Sequence, residues 1–222
     1  MRIINLPNNQ IERTNKLFHE AFLSLKIDFM TVHGKKINHD IDIFSTEIWK
    51  LSEMAGVIEL INLGHIGKDD DVFFFHDICS SGIEALQSIR KVTGAKFTIK
   101  GIFHGELTEW AHWFEMGWLE MVDEIFVESE YHKEILTQSI FRHVGNEELI
   151  ATHEMYQRHM DYVQGLVDKL KVTGLPFRES EASPSEISEK IYNAVLPNKP
   201  NPDKLPDLSE YEPNNVVRKM FL

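Results

Sequence analysis

Cysteine is nearly absent from this chain: Cys79 is the only one in 222 residues, so no intrachain disulfide can form. Long hydrophobic runs are missing as well. No stretch reaches the roughly 18 apolar residues that a membrane-crossing helix requires. The opening Met-Arg-Ile-Ile-Asn-Leu-Pro has no apolar signal region ending in small residues, and a cytoplasmic location is the expectation. Positive charge is scarce: 23 Lys and Arg stand against 35 Asp and Glu, for a formal net charge of −12. That balance disfavours a broad phosphate-tracking surface, although a local basic groove stays compatible with it. Several sequence signatures are absent too. No G-x-G-x-x-G follows the first apolar segment, where Pro7-Asn8-Asn9-Gln10 stands, and there is no G-x-S-x-G elbow or phosphate loop.

What the chain does have is a repeated pattern. Hydrophobic residues make up 42% of it, enough for one large domain or a domain with an appendage. Val72–Phe75 is a continuous apolar run that ends in His76 and Asp77, with Ser80, Ser81 and Gly82 opening a helical pattern to Thr93 and Gly94 as its stop. The run ending at Phe103 passes to His104, Gly105 and Glu106. Ile125–Val127 passes to Glu128, Ser129, Glu130, Tyr131 and His132. Met1–Leu6, Asp28–Thr31 and Leu170–Val172 read as further strands. Helices are expected over 10–25, 44–55 (with Ile48, Leu51 and Met54 on one face), 109–122, 130–141 and 147–166. Strands alternating with helices of this length predict an α/β, Rossmann-like three-layer domain over 1–177 with a mostly parallel sheet. In such sheets ligands bind along the rim made by the carboxyl ends of the strands.

The end of the chain differs. Ser183-Pro184-Ser185-Glu186 has the form of a capped helix start. Pro197, Pro200, Pro202, Pro206 and Pro213 then fall within 17 residues, so 178–222 reads as a helix followed by a Pro-rich acidic linker or arm.

Taken together, five ordered segments resemble the N-terminal half of a glycosyltransferase with two Rossmann-like domains, the GT-B architecture. They are Phe73-Phe74-Phe75-His76-Asp77, Gly82-Ile83-Glu84-Ala85-Leu86, Lys100-Gly101-Ile102-Phe103-His104-Gly105, the stretch from Asp123 to Lys133, and Val172-Thr173-Gly174-Leu175-Pro176-Phe177. In retaining-type members a histidine-glycine turn faces the acceptor, and a T-G-L-P-F segment leads into the second domain. The resemblance implies that His104 and Asp77 position or deprotonate an acceptor hydroxyl. It places His76, Ser81, Gly82, Gly105, Glu106, Glu130 and His132 on the substrate side. The chain departs from the family after Phe177. Only 45 residues follow, where a donor-binding domain needs on the order of 100 or more, and the Glu-x7-Glu pair that grips the donor is missing. The reading is therefore an acceptor-binding half, which transfers a sugar from a nucleotide-sugar when a second chain or domain supplies the donor site. The alternative is a non-catalytic binding protein built on the same half. A homo-oligomer stays open as a further partner arrangement.

Each residue has a plainer role to set beside this. Asp77 can cap the next helix and His76 can pack in a turn. The open N–H groups at Ser81 and Gly82 can hold an anion or simply be capped. Glu130 suits a helix start electrostatically. Trp110, Trp113 and Trp118 fit a core stripe better than a stacking platform. Cys79 fits a small buried residue better than a nucleophile. His153, Glu154 and His159 do not share a helix face, and His104, Glu106, His112 and Glu115 are loosely spaced. No metal or cofactor is expected.

Overall fold

In a computed structural model the chain is described over residues 1–7, 12–34, 42–104, 110, 113, 116–144, 153–178, 183–195 and 208–222. Six strands form a parallel sheet: β1 Arg2–Leu6, β2 Phe29–Thr31, β3 Asp71–Phe75, β4 Thr98–Ile102, β5 Glu124–Val127 and β6 Leu170–Val172, in the order β2-β1-β3-β4-β5-β6. The α/β class and the Rossmann-like parallel arrangement are thus as the strand–helix alternation predicts. The chain divides into two compact units, 1–104 with 121–124, and 105–120 with 125–222.

The first unit explains why Val72–Phe75 of β3 is a continuous apolar run. All of β3 is buried, and so is β1 from Ile3 onward, because helices cover both faces of the sheet. Side chains alternate along a strand, and the rings show which helix covers which face. Phe18 of α1 (Glu12–Ser24) packs on Phe74, with centroids 5.2 Å apart. The opposite face presents Phe75 to α2 (Asp42–Asn62) and α3 (Ser80–Thr93). Lys50 of α2 stands over the Phe75 ring at 5.9 Å, and a Cβ on Gly82 of α3 would lie 2.7 Å from that ring. Gly82 therefore lets the first turn of α3 close on β3. Its absent side chain is used for packing.

Two expectations need correction here. The helix expected over 44–55 runs on to Asn62. The face of that helix is also rotated from the predicted one: Leu51 is 63% exposed, while Trp49, Lys50, Glu53, Met54 and Val57 are buried. At α3 the N-cap position is Cys79, whose side chain makes no cap hydrogen bond.

The second unit holds β5, β6, α4 (Trp118–Met121), α5 (Glu130–Val144), α6 (His153–Val167), α7 (Pro184–Val195), a 3-10 turn (Leu208–Tyr211) and α8 (Pro213–Phe221). Trp110 and Trp113 are core residues, and the Trp110 indole donates to the Leu136 carbonyl at 3.1 Å. The capping box before α7 forms: the Ser183 amide donates to Glu186 Oε2 at 2.7 Å, and Ser183 Oγ accepts from the Glu186 amide at 3.4 Å. The Pro-rich reading needs revision at its end. Pro197, Pro200, Pro202 and Pro206 lie outside the described residues, but Pro213 opens α8, where a missing N–H costs nothing. Val216, Val217 and Met220 are buried, and Phe221 meets Phe126 of β5 at 6.1 Å.

Gly174 sits at φ 74 with the Tyr211 ring 2.5 Å from the place of a Cβ, and the Phe177 amide donates to the Tyr211 carbonyl at 2.8 Å. Gly94 has a similar φ of 72 but open space around it. Gly174→Ala should therefore cost about 3 kcal/mol in a urea melt, from left-handed strain plus overpacking. Gly94→Ala should cost about 1 kcal/mol, from strain alone. Equal losses would mean that Tyr211 yields freely.

Candidate functional site

In the first unit the strand ends deliver a polar cluster. The chain leaving β3 is pinned to both neighbouring strands: the His76 amide donates to the Leu6 carbonyl at 3.0 Å, and the Ile78 amide to the Ile102 carbonyl at 2.9 Å. Gly101 permits that crossing, since a Cβ there would sit 3.0 Å from Ile78 Cβ. His76 to Cys79 are thereby laid across the carboxyl ends of β1 and β4.

His76 extends the alternation of β3, shares the face of Phe74, and is 0% exposed. Its ring lies 4.7 Å from that of Phe18. Nδ1 is 2.5 Å from the Asn15 side-chain oxygen position, and Nε2 is 2.6 Å from Asn5 Oδ1. Burial pushes its pKa well below 6.5, and the positive charges of Lys50, His104 and His33 add to the shift. A neutral imidazole donates through one nitrogen only. The Asn5 amide already donates to Thr31 Oγ1 at 3.2 Å, so its oxygen accepts from Nε2–H. Asn15 must then offer its NH2 to Nδ1. The ring is a fixed, neutral tie between β1, β3 and α1.

His104 is different. It is exposed, and its Nε2 stands 2.9 Å from the His76 backbone carbonyl. A carbonyl only accepts, so Nε2 carries the proton and Nδ1 of the neutral ring keeps the lone pair. The tautomer of His104 is thus set by the backbone of the residue that ends β3. Asp77, between the two histidines in sequence, is half-buried.

No family model matches the chain, and no curated protein matches it.

Behind the rim, α2 contributes two buried charges that sequence reasoning did not single out. Lys50 Nζ lies 3.3 Å from Glu53 Oε2 and 3.4 Å from the Pro7 carbonyl at the end of β1. Glu53 is 0% exposed. Burial pushes its pKa up to about 7, against the opposing pull of Lys50 and a smaller one of the Trp49 indole. Burial likewise raises the Cys79 thiol, so it is not poised as a nucleophile. The one available signal was spacing. Trp49, Glu53 and Val57 recur every four residues, and a glutamate inside an otherwise apolar stripe marks a buried carboxylate.

The remaining expected site residues fall as follows. Ser81 is exposed at the start of α3, and Gly82 is buried on Phe75. Gly105 and Glu106 lie outside the described residues. Glu130 and His132 belong to the second unit. Glu130 is exposed in the first turn of α5, and the His132 amide donates to Ser129 Oγ at 3.1 Å, which makes Ser129 the cap of that helix. In the same unit Glu128 pairs with Lys190, whose ammonium stands 5.2 Å from the Tyr211 ring centre. Among the described residues no three His, Cys, Asp or Glu side chains gather as metal ligands, and no helix is long and apolar enough to cross a membrane.

Proposed function

We propose that this chain is the acceptor-binding half of a GT-B-type glycosyltransferase, completed by a donor-binding domain or partner chain. His104 accepts the proton of the acceptor hydroxyl at Nδ1. The freed oxygen bonds to the anomeric carbon of the nucleotide-sugar, and the nucleoside diphosphate departs with the electrons of the broken C–O bond. Asp77 orients the acceptor. The observation that supports this reading is the exposed His104 ring, held by its Nε2–H on the His76 carbonyl at the carboxyl end of a parallel strand.

The test is transfer by the chain from UDP- and GDP-sugars to hydroxyl acceptors, alone and with the product of the neighbouring reading frame, followed by mass spectrometry. His104→Gln keeps an N–H for the His76 carbonyl and removes the base. Transfer should fall by about 100-fold or more with the thermal midpoint unchanged. If no combination yields product, the transferase reading is lost. If a partner binds tightly and binding is indifferent to His104, the non-catalytic alternative takes its place.

A further inference from the structure

In the second unit one ammonium group sits in a box of aromatic and acidic walls. Lys190 of α7 pairs with Glu128, the residue that follows β5, and its Nζ stands 5.2 Å from the Tyr211 ring centre and 5.9 Å from that of Phe177. A carboxylate and two aromatic faces are the surroundings that best replace water around a cation. The walls are built without Lys190. Phe177 and Tyr211 are buried, and the Phe177 amide donates to the Tyr211 carbonyl at 2.8 Å. Gly174, having no Cβ, lets the Tyr211 ring lie against the chain that leaves β6. Burial and the charges of Glu210 and Glu128 push the Tyr211 hydroxyl up to about 12, so two carboxylates bear on that ring. The occupant is held differently. Among the described side chains of α7 none is buried, and Lys190 itself is only 13% exposed. A fixed box thus holds the tip of one side chain from a helix whose described residues bury little else. The box lies where the chain leaves β5 and β6, on the carboxyl rim that binds ligands in parallel sheets. The net charge of −12 draws cations toward it. Glu128 calls for an N–H donor, which a primary ammonium has and a quaternary one lacks.

We propose that Glu128, Phe177 and Tyr211 form a binding site for a primary ammonium group on an unbranched alkyl stem. Lys190 fills it as the chain's own stand-in, and α7 is a strap displaced when an external amine enters. The amine donates an N–H to Glu128 and lays its charge against both rings. A free diamine and a lysine side chain of a peptide share this chemistry. The site goes beyond the transfer reading and does not depend on His104.

Lys190→Ala vacates the box and leaves its walls in place. The Phe177 amide, which donates to the Tyr211 carbonyl, reports on it in a ¹H–¹⁵N spectrum of the full chain. n-Butylammonium, cadaverine and Nα-acetyl-lysine N-methylamide are titrated into wild type and Lys190→Ala. Choline and n-butanol serve as comparisons, and sodium chloride holds the ionic strength constant. The expected result is a saturable shift with n-butylammonium in the variant. Wild type should bind it at least about tenfold more weakly, because the tethered Lys190 competes. Adding Glu128→Gln to Lys190→Ala should weaken it about ten- to hundredfold, the loss of a hydrogen bond to a charged group. Choline and n-butanol should bind at least about tenfold more weakly than n-butylammonium. In wild type n-butylammonium should also speed amide exchange over Pro184–Val195. Tighter binding of cadaverine supports the site with a free diamine as its source, and tighter binding of the lysine amide supports it with a peptide side chain as its source. No saturable shift with any of the three amines in the variant overturns the proposal. Equal binding of n-butanol does so too, since it would mark only an apolar hole. Should Lys190→Ala fail to fold, wild type decides. If n-butylammonium speeds exchange over α7 no more than sodium chloride of equal strength does, α7 is not a displaceable strap and the proposal falls.

Discussion

Replacing His76 with alanine should destabilise the protein by about 4 kcal/mol in urea unfolding, whereas His104→Gln should change stability by less than about 0.5 kcal/mol. The two histidines end adjacent strands and look alike in sequence, but their surroundings are opposite. His76 is wholly buried between Asn5 and Asn15, with Phe18 and Phe74 against its ring. Its removal takes a hydrogen bond from buried Asn5 and one from half-buried Asn15, at about 1–3 kcal/mol each, and leaves a cavity beside two aromatic rings. Among the described residues the His104 ring has one hydrogen bond, to a backbone carbonyl that remains when either side chain is changed. The comparison separates architecture from chemistry. If His76→Ala costs under about 1 kcal/mol, the ring is not the tie described here, and its place on the ligand side is restored.

The central strand was legible because β3 is buried on both faces, and burial on two faces writes itself as the unbroken apolar run Val72–Phe75. The rim followed, since each run ends in polar residues. What was not legible is phase. On α2, Leu51 looks like core and is exposed, while Lys50 and Glu53 look like a solvated i,i+3 pair and are buried. Helical spacing alone cannot tell which of two faces meets the sheet when each carries both charge and apolar groups. That choice is made by the ring of Phe75 and by Gly82 beside it, which belong to other elements. His76 shows a related limit. It leaves the strand in a bend, as a polar residue there suggests, but its ring stays beside Phe74, where Asn5 and Asn15 satisfy it. Those asparagines are 71 and 61 residues away in the chain, and nothing local announces them. At the chain's end Pro213 looks like one more linker proline because the buried Val216, Val217 and Met220 are spread over a short helix whose apolar face is seen only once Phe221 meets Phe126 of β5.

Glu53 and His76 should give the protein opposing pH dependences, and Glu53→Gln should unmask that of His76. Burial raises the Glu53 pKa from 4.5 to about 7. Between those values the folded state keeps a proton that the unfolded chain has released. The stabilisation from Glu53 is therefore complete below pH 4.5 and is lost as pH rises through 7, falling by about 1.4 kcal/mol per pH unit. His76 is shifted the other way, well below 6.5. Below pH 6.5 the unfolded chain takes up a proton that the folded ring refuses. Its stabilisation is complete above 6.5 and is lost as pH falls toward the folded value. Below pH 6.5 the two slopes therefore have opposite signs. Other charges near the pair, Lys50 beside Glu53 and His33 and His104 facing His76, are present in both wild type and variant. Subtracting the two unfolding curves isolates the carboxyl group. The advantage of wild type over Glu53→Gln should shrink by about 1.4 kcal/mol for each pH unit between 4.5 and 6.5, about 3 kcal/mol in all by pH 7. The variant alone should grow more stable up to pH 6.5, as the unmasked histidine requires. A difference that stays flat above pH 5 would mean that Glu53 ionises like a surface carboxylate.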